Sequence, residues 1–127
     1  MNEMEELNAL TARVIGLAIE VHRALGPGLS ESAYRKCLCY ELKKNELDCV
    51  EEEPIPVKYK ELVIDCAYRA DIIVENKLIL EIKSIDNIQP VHEAQLLTYL
   101  KLKKIRLGLI LNFNVPLLKE GIVRKIL

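Results

Sequence analysis

The amino-acid sequence predicts an α/β domain in which a mixed β-sheet is covered by helices on both faces. Two patterns and one number carry that expectation. Segments with helical, 3.6-residue periodicity stand both before and after a cluster of strand-like runs, giving the order α, α, β, β, β, α, β and a closing run that reads as a further strand. The central strand-like runs carry apolar residues on both alternating faces, so both faces of the sheet call for cover. The chain has 127 residues, half of them hydrophobic, which suits a single domain over residues 1–127 with one sizeable core.

The first helix is read from Glu3 to Leu25, where Leu7, Leu10, Val14, Leu17, Ala18, Val21 and Leu25 keep one apolar stripe. The run Gly26-Pro27-Gly28 stops it, and Ser30 is placed to cap a second helix from about Ser30 to Asn45. "VEEEPIPVKYK" alternates but contains Pro54 and Pro56, so it reads as an edge strand or two. Strands are then expected near residues 62–67, 68–74 and 78–85. Pro90 suits the first turn of a helix over 90–103. "IRLGLILNF" is an apolar strand, and "GIVRKIL" closes the order as a further one. No repeat, linker or low-complexity stretch interrupts the series.

Charge and cysteines narrow the class. Lys plus Arg number 18 against 19 Asp plus Glu, a net charge of −1. A domain gripping duplex nucleic acid by electrostatics alone is usually clearly basic, so any such binding here needs a local patch, bound metal ions or a partner. The run Lys101, Lys103, Lys104, Arg106 and the later Lys119, Arg124 and Lys125 are the candidate phosphate contacts, or simply the solvated end of a helix. The acidic N-terminus does not resemble a secretory signal, and "LGLILNFNVPLL" is too short and interrupted to span a bilayer, so a cytoplasmic protein is expected. Cys37, Cys39, Cys49 and Cys66 read as reduced, small hydrophobes, because no second close pair completes a zinc site. Gly26-Pro27-Gly28 lacks the Lys-Ser/Thr that follows a phosphate-binding loop, so nucleotide binding there is rejected.

The stretch "RADIIVENKLILEIKS" departs from an ordinary strand pair by holding Asp71, Glu81 and Lys83. Alternation places Ala70, Ile72 and Val74 on one face and Arg69, Asp71 and Ile73 on the other. A three-residue loop of Glu75, Asn76 and Lys77 sets Asp71 opposite Glu81 and Arg69 opposite Lys83; a two-residue Asn76-Lys77 turn sets the two acids on opposite faces. The longer loop is preferred because it keeps Ile72, Leu80 and Ile82 on one continuous apolar face. Two carboxylates that close raise each other's pKa unless a cation lies between them. Two readings follow: a hard divalent cation held by both, with Lys83 acting on water for phosphodiester hydrolysis, or a cross-strand ion cluster with Arg69 and Lys83 as partners.

The spacing Asp71-x9-Glu81-x-Lys83 resembles the signature of the PD-(D/E)XK nuclease superfamily, with Ala70 standing where a proline often precedes the aspartate. Upstream, Gly28, Glu31 and Tyr34 in "GLSESAY" are similar to the G-x-x-E-x-x-Y pattern of a small prokaryotic family assigned to that superfamily. Downstream, Gln95 and Tyr99 in "QLLTY" resemble the Q-x-x-x-Y element of its exonuclease branch. The resemblance spans roughly residues 10–113. It implies a restriction-endonuclease-like α-β-β-β-α-β core, here with an extra N-terminal helix. It further implies that Asp71, Glu81 and the backbone carbonyl of Ile82 bind Mg²⁺ or Mn²⁺, with Glu31 reaching toward the metal. Lys83 would activate the attacking water, and Gln95 would position substrate or the lysine.

The residues themselves support part of this. Glu31, Tyr34, Leu38 and Leu42 share one stripe of the second helix, though an acid in a helix's first turn is common for electrostatic reasons alone. Gln95 and Tyr99 share a side of the later helix with His92, which equally fits a polar helix edge. Tyr34 and Tyr99 read as packing and hydrogen-bonding residues. Two functions follow as expectations: a metal-dependent nuclease acting on DNA, ahead of RNA, and working as a homodimer; or a non-catalytic metal- or nucleic-acid-binding, regulatory module on the same fold.

Overall fold

The computed structural model describes residues 1–127, apart from the side chains at 66 and 67. The sequence-based reading of Cys66 therefore lies outside the described residues. Helix α1 (Glu3–Leu25) starts at Asn2, whose side chain accepts the Glu5 N–H at 2.8 Å, and ends at Gly26, which takes φ 70°. Glu3, Glu5 and Glu6 occupy its first turn, where the helix dipole favours negative charge. Helix α2 (Glu31–Lys44) is capped by Ser30, which accepts the Ala33 N–H at 3.2 Å. The turn between them passes through Gly28 at φ 102°, a conformation that side chains disfavour.

Five strands form one mixed sheet in the order β1-β2-β3-β4-β5: β1 (Cys49–Tyr59), β2 (Leu62–Val74), β3 (Leu78–Lys83), β4 (Leu107–Asn112) and β5 (Ile122–Ile126). Strands β3 and β4 are parallel, joined by helix α3 (Pro90–Lys103), and the other neighbours are antiparallel. Helices α1 and α2 pack on one face with Ile72, Val74, Leu80, Ile82, Leu109 and Leu111. Helix α3 covers the other with Ile73, Ile79 and Ile110. It approaches β4 so closely that a Cβ added to Gly108 would lie 2.7 Å from Leu96 Cδ1.

The expected order holds, and β1 is an edge strand as its prolines require. Three details differ. The runs 62–67 and 68–74 are one strand of 13 residues, which continues through a register shift between the Val57–Ile64 and Ile55–Tyr68 pairs. Strand β3 stops at Lys83, where Ser84 takes up side-chain contacts with the α1–α2 turn. Ala70 belongs to the α3-side core rather than sharing a face with Ile72 and Val74. The β1–β2 ribbon rolls over at this point: Glu51 meets Arg35 of α2, whereas Glu53 meets Lys103 of α3. Between them Glu52 takes φ 50°, and in the ladder it stands opposite Asp71.

Candidate functional site at a strand fork

Val74 faces Leu78, Ile73 faces Ile79 and Ile72 faces Leu80, the register of the three-residue loop. The β2–β3 ladder ends there, although β2 continues against β1 through a further ten residues to Leu62. At the fork, side chains replace main-chain pairing. Asp71 Oδ2 accepts the Ile82 N–H at 2.7 Å, and Glu81 Oε2 accepts the Asp71 N–H at 3.0 Å. Two carboxylates thus close the ladder reciprocally, each satisfying a backbone donor that a diverging strand would leave bare.

The fork lies between the two helical layers. Glu31, the first residue of α2, accepts the Ser84 N–H at 3.2 Å, directly after Lys83. The Ser84 hydroxyl donates to the Leu29 carbonyl at 2.6 Å, so the α1–α2 turn is tied to the end of β3. Tyr34 holds the same turn from inside. Its hydroxyl donates to the Gly26 carbonyl and accepts the Leu29 N–H at 3.1 Å, and its ring stacks on Phe113 with centroids 4.4 Å apart. In Gly28-x-x-Glu31-x-x-Tyr34, the glycine allows the turn, the tyrosine fixes it and the glutamate is the residue it presents.

Exposure grades across the site. Glu81 is 5% exposed, Asp71 and Lys83 are half-buried, and Glu31 is open to solvent. Burial pushes the Glu81 carboxyl up to about 8, with the charges of Asp71 and Glu31 adding to it against the Asp71 amide and Lys83. The Asp71 carboxyl is also raised by burial, and the Ile82 amide, Lys83 and Arg35 oppose the rise. Tyr99 of α3 is raised to about 12 by burial and then by Glu81 and Asp71, which marks its hydroxyl as a neighbour of the acidic pair. Gln95 lies one turn before Tyr99, half-buried, and its side chain makes no hydrogen bond among the described residues. His92 is used locally, its Nδ1 accepting the Gln89 N–H at 2.9 Å in the cap of α3.

The basic run at the end of α3 is not part of this site. Leu107 pairs with Leu78 and Asn112 with Lys83, so residues 101–106 lie at the opposite end of the sheet. Lys103 and Arg106 are also engaged by Glu53 and Glu3, at 3.4 and 3.5 Å, and Lys125 by Glu93 at 2.6 Å. A concavity of about 1110 Å³, bounded by Leu47, Cys49, Ile73, Glu75 and Lys103, likewise lies near the β2–β3 turn, away from the fork.

Among the described residues, no three His, Cys, Asp or Glu side chains already converge as a metal cage. The donor set nevertheless suits a hard cation. Asp71 Oδ1 and Glu81 Oε1 make no hydrogen bond among the described residues, and no buried side-chain oxygen there lacks a partner, so both oxygens reach solvent. Carboxylates and a backbone carbonyl are the ligands such an ion takes, and a cation between the acids would offset the burial and the Asp71 charge that raise the Glu81 carboxyl.

Three contributors escaped the sequence reading. Ser84 stood out only as the residue after a charged strand. Arg35, one helical turn after Glu31, bridges Glu51 and Glu52 at 3.2 and 3.4 Å beside Asp71. Asn112 is 2% exposed and clamps the chain leaving β3, donating to the Ile85 carbonyl at 2.9 Å and accepting the Ile85 and Asn114 N–H groups at 3.1 and 3.2 Å. Its signal was a lone amide closing a wholly apolar strand.

A family model described as the PD-(D/E)XK nuclease superfamily matches residues 8–125. No curated protein and no solved structure matches the chain.

Proposed function

Because the chain belongs to the PD-(D/E)XK nuclease superfamily, we propose that it is a metal-dependent nuclease hydrolysing phosphodiester bonds of DNA, ahead of RNA. The observation that carries this reading is the fork itself: two carboxylates and a lysine gathered where β2 leaves β3, with a solvent-facing oxygen on each acid. The G-x-x-E-x-x-Y resemblance adds Glu31, tied to Ser84 at the same strand end.

In this reading Asp71, Glu81 and the Ile82 carbonyl hold Mg²⁺ or Mn²⁺, with Glu31 as a further oxygen donor. When bound, such an ion supplies charge stabilisation at the phosphate and acidifies water. Lys83 acts from the adjacent face-sharing position, its Nζ hydrogens orienting the water that attacks phosphorus. Buried Glu81 supplies a carboxylate whose charge is costly in isolation and is relieved by a cation. Gln95 reaches from α3 to position the scissile strand. Tyr34 and Ser84 hold the α1–α2 turn so that Glu31 stays at the end of β3. The protein works as a cytoplasmic homodimer presenting two sites.

A second reading draws on one observation. One oxygen of each acid is already occupied by a backbone amide, as a purely structural closure of the ladder would have it. That favours a metal- or nucleic-acid-binding, regulatory module without turnover. The test is cleavage of a panel of single-stranded, duplex and branched DNA and RNA, with Mg²⁺ or Mn²⁺ and with EDTA, beside Glu81→Ala and Lys83→Ala. The nuclease reading expects metal-dependent cutting that is lost in both variants, with metal binding retained in Lys83→Ala. Absence of cutting by the folded native protein would leave the second reading.

A further inference from the structure

We propose that the arm formed by the distal halves of β1 and β2 is a self-association surface whose occupant is the same arm of a second copy of this chain. The proposal rests on the homodimer suggested above and not on nuclease activity. Beyond Asp71, β2 has strand β1 on one side and no strand on the other among the described residues. Residues 62–70 therefore offer an open row of backbone donors and acceptors. A two-stranded ribbon is marginal in water by itself.

The arm is also apolar where it should be polar. Tyr59 is 63% exposed, Leu62 57%, Val63 47%, Ile64 44% and Tyr68 46%, which puts five of the chain's exposed large hydrophobics on one projection. Divided between the two faces of the ribbon, they expose on the order of 500 Å² per copy, the larger part of the about 800 Å² each side of a standard interface buries.

Two features select a second copy as that partner. Of the ribbon's two edges, β1 carries Pro54 and Pro56, which cannot donate to an added strand, while β2 has no proline from Leu62 to Val74. The open edge is also self-complementary in charge. Asp65 and Arg69 are four residues apart along this edge, one on each side of the irregularity between the Val57–Ile64 and Ile55–Tyr68 pairs. An antiparallel ribbon of two β2 strands, with its two-fold axis midway between them, sets Asp65 of each copy opposite Arg69 of the other. Both side chains are free enough to do this. Asp65 is exposed, and Arg69, 54% exposed, is 3.9 Å from Glu52, the outer limit of an ion pair.

The test is the mass of the native chain in solution at micromolar concentrations, by sedimentation equilibrium, beside Ile64→Lys, Ile64→Thr, Asp65→Arg, Arg69→Asp and the double exchange Asp65→Arg with Arg69→Asp. Circular dichroism and the urea midpoint report whether each variant is folded. The expected result is a native dimer of twice 14.5 kDa. Ile64→Lys should weaken it at least about tenfold. Ile64→Thr, which keeps strand propensity, should weaken it less. Each single charge reversal should give monomer, and the double exchange should restore the dimer. A monomeric native protein overturns the proposal, as does a dimer that survives all the arm variants or a double exchange that stays monomeric. A native monomer whose binding to an oligonucleotide is lost in Ile64→Lys would assign the arm to nucleic acid instead.

Discussion

Replacing Glu81 by Gln should stabilise the metal-free protein, and the gain should grow with pH. The Glu81 carboxyl ordinarily titrates near 4.5 and in the fold is pushed to about 8, first by burial and then by Asp71. Below pH 4.5 the group is protonated in both states and contributes nothing to the pH dependence. Between 4.5 and 8 the unfolded chain releases a proton that the folded chain retains, so native stability falls as pH rises. At 1.36 kcal/mol per unit, the loss at pH 7 is about 3 kcal/mol. Glutamine has no proton to lose, its oxygen can still accept the Asp71 N–H, and its amide can donate to Asp71. Urea unfolding in EDTA at pH 5, 7 and 8 measures the difference. With a slope of about 2 kcal/mol per M, the variant midpoint should exceed the native one by roughly 1.5 M at pH 7 and by little at pH 5. Added Mg²⁺ or Mn²⁺ should narrow the gap from the native side, because a ligand that binds only the folded state stabilises it. Parallel native and variant curves from pH 5 to 8, or a variant that is less stable at pH 8, would refute the assignment of a strained, partly protonated acid pair at the fork.

Other outcomes follow from the supports of the site. Tyr34→Phe keeps the stack on Phe113 but strips the Gly26 carbonyl and Leu29 N–H of their shared partner, so unfolding should cost about 1–3 kcal/mol less and the Leu29 amide should exchange faster. Asn112→Ala leaves the Ile85 N–H and carbonyl and the Asn114 N–H without that side chain, a loss of about 2–4 kcal/mol by urea denaturation. Gly121→Ala drives a Cβ into the backbone carbonyl of Asn112, whereas Gly108→Ala meets only the side chain of Leu96. The first should therefore lower the thermal midpoint more than the second, for which about 1–3 kcal/mol is expected.

Much of the molecule is legible in the sequence, and the reasons are local. Periodicity located α1, α2 and α3 almost to the residue, because helix signals lie within a few turns and the Ser30 and Pro90 boundaries act through the backbone itself. The prolines of β1 marked an edge because a missing N–H forbids a central place. Asp71, Glu81 and Lys83 stood out because charge is costly in a strand that is apolar on both faces, and the three-residue loop then brought the two acids together.

What the sequence could not determine depends on which end of which element meets which. The Lys101–Arg106 run looked suited to phosphate, yet a parallel β3–β4 pair puts the start of β4, and the run before it, at the end of the sheet away from Lys83. Ser84, Arg35 and Asn112 are ordinary one at a time; they matter because the α1–α2 turn, the β1 edge and the end of β4 close on the same strand end. The roll of the β1–β2 ribbon at Glu52 and Asp71 moved Ala70 to the α3 face and freed β2 from β3. Alternation alone predicts a regular pleat, and only the competing demands of two helical layers decide where that pleat turns over.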